Sequence, residues 1–256
     1  MKILSIDVGI KHLAFCLIDI IDNKYNIILW KIIDISTTTK CSQCECVPVF
    51  MYNNIKYCKS HAKANSLHLP TKKILNIKHL SLDALILLAK KYKLGESIKP
   101  NKRTLTKHLT DHFCTAIKPP NANNINLIVL GRNIVHHFDV LFANQSIDIV
   151  LIENQMGKIA TRMKTIQGMI AQYFIIKMIP RIEFVSSVSK LKHFITTKTT
   201  YKERKAAAIQ ITTTLIKTEH PTWYDLFLLN NKKDDLADSL LQALSYAYIN
   251  NLLRNT

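Results

Sequence analysis

The sequence predicts an α/β fold: a mixed five-stranded sheet flanked by helices and interrupted by a small polar insertion. Three observations carry this. The chain opens on three strand-like runs separated by short polar turns. It later alternates helical and strand-like segments, the pattern of βαβ units. Between these regions the composition changes abruptly over 36–66, which is polar, cysteine-bearing and without period.

The elements follow in order. Residues 2–8 (KILSIDV) are β-branched and apolar and lead to an acid. Residues 12–20 (HLAFCLIDI) and 25–33 (YNIILWKII) read as two further strands, with Asp22-Asn23-Lys24 as a hairpin turn. Helical spacing covers about 77–93, through Ile77, Leu80, Leu82, Leu85, Ile86 and Leu88. Segment 99–111 is basic and reads as solvent-facing. Segment 117–126, with Pro119, Pro120 and several Asn, is the most linker-like stretch. A helix is expected over 125–144. A buried strand at 147–152 (IDIVLI) leads to Glu153, and a helix follows at 158–178. Residues 182–185 (IEFV) form the fifth strand, and helices close the chain at about 200–217 and 235–252. This organisation is one domain, 1–256, carrying 36–66 as an inserted subdomain.

Bulk properties narrow the function. Of 256 residues, 48% are hydrophobic, enough for a core; 21% charged residues and 5 Gly argue against disorder. The net charge of +17, from 35 basic and 18 acidic residues, favours a polyanion, with nucleic acid the better reading than a merely Lys-rich surface. No single Lys/Arg block carries it. No apolar run is long enough to span a bilayer. Met1-Lys2 runs straight into a strand, so no targeting segment is expected before it. Four of the six cysteines cluster, which points to metal ligation in a reducing, intracellular compartment rather than to disulfides.

Four acids stand out by position. Asp7 ends the first strand and Glu153 the fourth. Asp235 and Asp238 lie three apart on the last helix, so they share a face. Asp234 is a neighbour that suits a helix cap, as Asp235 also does. An N-terminal cap does not account for Asp238, one turn further in among Ala237, Leu240 and Leu241, where an unpaired charge is costly. Converging carboxylates repel unless cations lie between them. Mg²⁺, hard and oxygen-loving, fits such a site. Two ions about 3.5–4 Å apart can activate water on one side of a phosphodiester and stabilise the leaving oxygen on the other.

These stretches resemble a known family. "SIDVGIKHLAFCLID" is similar to the first motif of the RuvC-like Holliday junction resolvases, which have a ribonuclease H-like fold. "IDIVLIENQ" resembles their second motif, and "KKDDLADSLLQAL" their last, Asp-x-x-Asp on the final helix. The three occur in the family's order, and the flavour is that of the poxvirus and fungal mitochondrial branch, with related enzymes of other large cytoplasmic DNA viruses. The resemblance implies two Mg²⁺ (or Mn²⁺) ions per active site, held by Asp7, Glu153, Asp235 and Asp238. It implies a catalytic basic residue after the fifth strand, Lys190 in "VSSVSK", and a second basic position, Lys205 in "YKERKAAAIQ". It puts Met156 where bacterial relatives carry an aromatic wedge; Met156, Lys158, Arg162 and Lys205 are read as DNA contacts. The implied activity is paired symmetric nicking of four-way DNA junctions by a homodimer, leaving 5′-phosphates and 3′-hydroxyls, at a viral replication site in the host cytoplasm. The helix at 158–178, with Ile159, Met163, Ile166, Met169, Ile170 and Tyr173, is the candidate dimer face.

The insertion is read from its spacing alone. Cys41-x-x-Cys44 and Cys58-x-x-His61 are two knuckle-like pairs suited to structural Zn²⁺. Cys46 competes with Cys44, and His68 with His61. Binding DNA arms, supporting a dimer and stabilising a long loop are all open roles. Two other function classes stand beside the nuclease. "IDVGIKHLAF" is also similar to the first phosphate loop of the actin and sugar-kinase ATPases, although no later Gly-rich motif follows. A non-catalytic, zinc-containing DNA-binding protein is the other.

Overall fold

A computed structural model describes residues 1–94, 101–118, 121, 124–155, 161–194 and 200–254. Strands β1 (Lys2–Asp7), β2 (His12–Ile21) and β3 (Lys24–Asp34) open the chain. Then come β4 (Phe50–Tyr52), β5 (Ile55–Tyr57), α1 (Lys59–Ala64), α2 (Lys72–Leu75), α3 (Leu82–Lys91), α4 (Lys102–His112) and β6 (Thr115–Ala116). The remainder comprises α5 (Leu127–Phe142), β7 (Ile149–Asn154), α6 (Thr161–Ile176), β8 (Arg181–Ser186), α7 (Tyr201–Glu219), α8 (Pro221–Leu229) and α9 (Lys233–Ile249).

The chain divides into two compact units, one of Met1–Thr38 with Asn121–Thr256 and one of Thr39–Pro120. The first contains a five-stranded sheet in the order β3-β2-β1-β7-β8. Strand β1 is antiparallel to β2 and parallel to β7, and β7 is parallel to β8. The turn between β1 and β2 is tight: a side chain at Gly9 would bring its Cβ to 2.2 Å from the His12 carbonyl oxygen, so only glycine fits.

Side chains alternate across each strand, and both faces of this sheet are apolar, as expected of central strands covered on two sides. Ile3, Cys16, Ile18 and Leu151 pack with Leu236, Leu240 and Leu244 of α9 and with Phe227 of α8. Leu4, Ile6, Phe15, Val150 and Ile152 pack on the other side with Ile134 and Phe138 of α5 and Ile170 and Phe174 of α6. The result is an α/β/α sandwich around the predicted sheet.

The second unit holds a three-stranded sheet, β5-β4-β6, and a helical part. Leu85, Leu88, Leu105, Leu109 and Phe113 form its core with Ile74 and Ile77. It therefore reaches well past residue 66, because α3 and α4 bury their apolar faces against each other and β6 pairs with β4. The expected helix over 77–93 is divided: a 3-10 turn at Ile77–His79 ends at Leu80, and the Ser81 side chain caps α3 by accepting from the Ala84 amide at 3.3 Å. Helices α1, α2, α4 and α8 and strands β4, β5 and β6 are additions to the sequence reading. No described helix is long and apolar enough to cross a membrane.

Candidate active site and metal centre

The period-two alternation decides where the strand-end acids point. Ile3 and Ser5 of β1 face α9, so Asp7, two residues on, faces it too. In β7 the same holds for Ile149, Leu151 and then Glu153. The parallel register pairs Ile6 with Ile152, which brings Asp7 and Glu153 side by side. Helix α9 is fastened over this edge. Gln242 Nε2 donates to Ser5 Oγ (3.0 Å) and to the Ile6 carbonyl (3.3 Å), and Trp30 Nε1 donates to the Leu236 carbonyl (3.0 Å). Asp238, one turn into α9, thereby meets the two strand ends.

Strand β8 leads into a 3-10 turn at Ser187–Leu191 that carries Lys190. Its ammonium is buried and lies 2.8 Å from Asp7 Oδ1, 3.0 Å from Asp238 Oδ2 and 3.2 Å from Glu153 Oε1. Four of the sequence-predicted residues are thus brought to one point from four separate elements. Gln155, at the end of the same "IDIVLIENQ" stretch, steadies the group: its Nε2 donates to Glu153 Oε2 at 3.2 Å, and its amide to Gln167 Oε1 at 3.0 Å. Nothing in the sequence marked Gln155 apart from its distance of two from the motif acid.

Three carboxylates share one ammonium, and the imbalance shows in their protonation. Burial raises the Asp7 carboxyl, but Lys190 and a hydrogen bond from Glu153 outweigh it, so Asp7 lies below its ordinary value. Burial, aided by that shared bond to Asp7 and only partly offset by Lys190, pushes Glu153 up to about 8. Burial also raises Asp238, again against the pull of Lys190. Lys190 itself would be lowered by burial, yet Asp7, Asp238 and Glu153 hold it well above the usual lysine range. The site is rich in hard oxygen donors and short of positive charge, and that donor set fits Mg²⁺ or Mn²⁺.

The acids at the start of α9 have their own partners. Asp235 Oδ2 lies 3.1 Å from Lys232 Nζ, and Asp234 Oδ2 lies 2.6 Å from Lys205 Nζ. Lys205 also contributes to the low Asp7 value, so it stands at the edge of the acid cluster. Arg162 donates to the Ile125 carbonyl. Met156 and Lys158 lie outside the described residues.

In the second unit, Cys41, Cys44, Cys58 and His61 bring their ligand atoms within 4.8 Å of one another, a set that could hold a metal ion. Cys44 Sγ is 3.7 Å from Cys58 Sγ, and His61 Nδ1 is 3.5 Å from Cys41 Sγ and 3.4 Å from Cys58 Sγ. With Zn–S bonds of about 2.3 Å and Zn–N bonds of about 2.0–2.1 Å, a tetrahedron has edges of roughly 3.8 Å between sulfurs and 3.5 Å between sulfur and nitrogen. The backbone bridges Cys41 to Cys44, and Cys58 caps α1 by accepting from the His61 amide. Burial alone would raise Cys41, but amide hydrogen bonds around Cys58 and Gln43 bring it down to about 6, in the range of a ligand thiolate. The amide at Cys46 acts to lower Cys44, yet burial and the neighbouring thiols push it up to about 12. Cys46 is exposed, and the His68 ring lies against that of His112, tilted by 31° with centroids 4.3 Å apart.

Residues 123–251, half of the chain, match the family model described as Poxvirus A22 protein. That span includes Glu153, Lys190 and Asp238, but neither Asp7 nor the cysteine cluster. An uncharacterized protein of Acanthamoeba polyphaga mimivirus, L451, is 26% identical over 96% of this chain and 74% of its own length. The fowlpox virus resolvase, solved with substrate Holliday junction DNA, is 15% identical with a TM-score of 0.48, covering 99% of this chain and 100% of its own. The yeast mitochondrial Holliday junction resolvase is also 15% identical with a TM-score of 0.48, over 95% of this chain and 78% of its own. On the match over half its length, the chain belongs to the poxvirus A22 protein family, poxvirus members of the RuvC-like Holliday junction resolvases.

Proposed function

We infer that this protein is a divalent-metal-dependent endonuclease that resolves four-way DNA junctions, with Asp7, Glu153, Asp238 and Lys190 as its catalytic residues. The observation that carries the reading is the convergence of three partly buried carboxylates on one buried ammonium from β1, β7, α9 and the turn after β8. Family membership favours a nuclease over an ATPase or an inert DNA-binding protein.

Asp7, Glu153 and Asp238 would hold the metal, with Asp235 joining them from the same face of α9 by releasing Lys232. When bound, Mg²⁺ or Mn²⁺ supplies Lewis-acid activation of water and charge neutralisation at the leaving oxygen. Lys190 keeps the carboxylates from repelling one another and presents its positive charge where a phosphodiester meets the acids. Burial and Asp7 push Glu153 up to about 8 in the metal-free fold, so it would give up its proton as it takes up the metal. Gln155 fixes the orientation of Glu153 through its Oε2. Lys205, at the rim, is suited to a backbone phosphate, and Met156, Lys158 and Arg162 remain proposed DNA contacts.

Paired nicks on opposed strands require two symmetry-related sites, hence a homodimer. An apolar groove of about 700 Å³ between α5 and α6, lined by Ile128, Val135, Met169, Tyr173 and Ile176, supports an interface there. The cysteine and histidine set is proposed to hold structural Zn²⁺. The family further supports action on DNA at a viral replication site.

The test uses labelled four-way junction, flap and linear duplex, with and without Mg²⁺. Symmetric paired nicks confined to the junction and dependent on the ion are expected. Even degradation of linear duplex, or full activity without divalent ions, rejects the reading. Light scattering on the parent and on Val135→Asp tests the dimer, which the variant is expected to dissociate.

A further inference from the structure

The positive charge that appears evenly spread along the sequence is not evenly shared between the two units. The unit Thr39–Pro120 has 15 Lys and Arg against 4 Asp and Glu in 82 residues, so it supplies +11 of the chain's +17. The other unit has 20 against 14 in 174 residues. A genome-wide lysine bias would enrich both alike and would not deplete acids in one.

All fourteen described Lys and Arg side chains of this unit are exposed, and among the described residues one ion pair falls within it, Lys40 with Glu45. Local stability accounts for only some of their positions: Lys63 closes α1 and Lys90 and Lys91 close α3, where cations complement the macrodipole. Helix α4, by contrast, opens on Lys102 and Arg103 with no acid in its first turn. Cations at a helix N-terminus oppose the macrodipole, so the fold bears a cost for them. Such a surface is compensated by an external polyanion.

The kind of polyanion is narrowed by what the surface lacks. Among the described residues of this unit, Phe113 is buried and Phe50, Tyr52, Tyr57 and Tyr92 are half-buried, so no Phe, Tyr or Trp ring stands fully exposed. Single strands are held by stacking on exposed rings, whereas a duplex hides its bases and offers closely spaced phosphates. We propose that the unit Thr39–Pro120 is a second, non-catalytic DNA-binding surface that contacts duplex phosphates through α2 and α4. The choice of DNA as the polyanion rests on the nuclease reading above; the surface itself does not depend on the acid cluster.

The experiment measures binding of the full chain to a linear DNA duplex across a NaCl series. Three proteins are compared: the parent, a triple variant of this unit (Lys72→Gln, Arg103→Gln, Lys107→Gln), and a triple variant of the other unit with equal charge loss (Lys24→Gln, Lys31→Gln, Lys217→Gln). Each lost phosphate contact removes about 0.9 from the slope of log K against log salt. The first triple is expected to lower the slope by about 2–3, and the second by less than about 1. A charge-keeping triple (Lys72→Arg, Arg103→Lys, Lys107→Arg) should retain the parent slope. Equal slopes in all proteins, or equal losses in both Gln triples, overturn the proposal. Junction nicking by the parent is scored separately. A parent that nicks nothing but shows the selective slope loss sinks the nuclease reading and leaves this surface standing. The reverse outcome sinks the surface alone.

Discussion

Ser245 Oγ donates to the Ser189 carbonyl at 2.7 Å across 56 residues of sequence, tying α9 to the turn that carries Lys190. The bond couples the element bearing Asp238 to the element bearing its counter-ion. Ser245→Ala removes that bond and leaves the carbonyl only the Lys192 amide at 3.2 Å, at a cost of about 0.5–1.5 kcal/mol. The melting temperature should fall by a few degrees. Differential scanning fluorimetry reads it, and an unchanged melting point would mean that the turn is held by other contacts.

Lys190→Met should be far more damaging, and rescuable. The substitution keeps much of the stem but strands three partly buried carboxylates without a cation, a loss of up to about 3–5 kcal/mol. Millimolar Mg²⁺ or Mn²⁺ should restore part of that stability by binding the folded state. Thermal melts with and without the ion measure this; a variant as stable as the parent in metal-free buffer contradicts the ion-pair account.

Asp238→Asn separates stability from activity. The Asp238 carboxyl is raised by burial, so its charge is unfavourable in the metal-free fold despite Lys190. Removing that charge should leave the metal-free melting point equal or higher, while single-turnover junction cleavage drops by about 10²-fold or more. A variant that cleaves at the parental rate removes Asp238 from the catalytic set.

The Glu153 carboxyl gives a pH dependence of defined sign. It keeps its proton in the fold up to about 8, whereas an unfolded glutamate ionises near its ordinary value of 4.5. Between those values the unfolded chain has released a proton that the fold retains, so rising pH favours unfolding. The destabilisation is absent below about 4.5, grows across the window and levels off above about 8. Asp7, shifted downward, has the opposite sign but acts below this window. The metal-free parent should therefore lose stability from pH 5 to 8 relative to Glu153→Gln. Parallel curves for the two proteins would show that Glu153 is ionised throughout.

Metal removal tests the cysteine cluster. One Zn²⁺ per chain is expected by elemental analysis, and Co²⁺ in its place should give the absorption of a tetrahedral three-sulfur, one-nitrogen site. Cys58→Ser removes a ligand and the cap of α1 together, so metal content should fall to near zero with loss of structure around β4, β5 and α1. Full metal content in Cys58→Ser would reassign the ligand to Cys46.

The sheet was legible because its strands are apolar on both faces and bounded by clear turns, as at Asp22-Asn23, where both residues take positive φ. Asp7 and Glu153 were legible because they close strands, and Asp238 because it lies one turn inside the last helix among apolar residues, where no cap accounts for it. Helix α8 was not: Pro221–Leu229 is short and apolar on every side, so it has no polar face to set a period. Helix α4 shows only Leu105 and Leu109 as buried positions in a basic run, too few to distinguish a packed helix from a solvated loop. The local partners of Asp234 and Asp235 were invisible for a different reason. Lys205 lies 29 residues from Asp234, and only packing of α7 beside α9 brings the two together.

Strand β3 is the outermost strand of its sheet, and the chain leaves it for Thr39–Pro120 before returning through α5. An excursion from a border strand contributes no rungs to that sheet, and lengthening such a connection adds little closure entropy. Evolution could therefore acquire, exchange or discard this whole segment without re-registering the strands that aim the acids. The same junction is a natural graft point for chimeras that transplant the segment between nucleases.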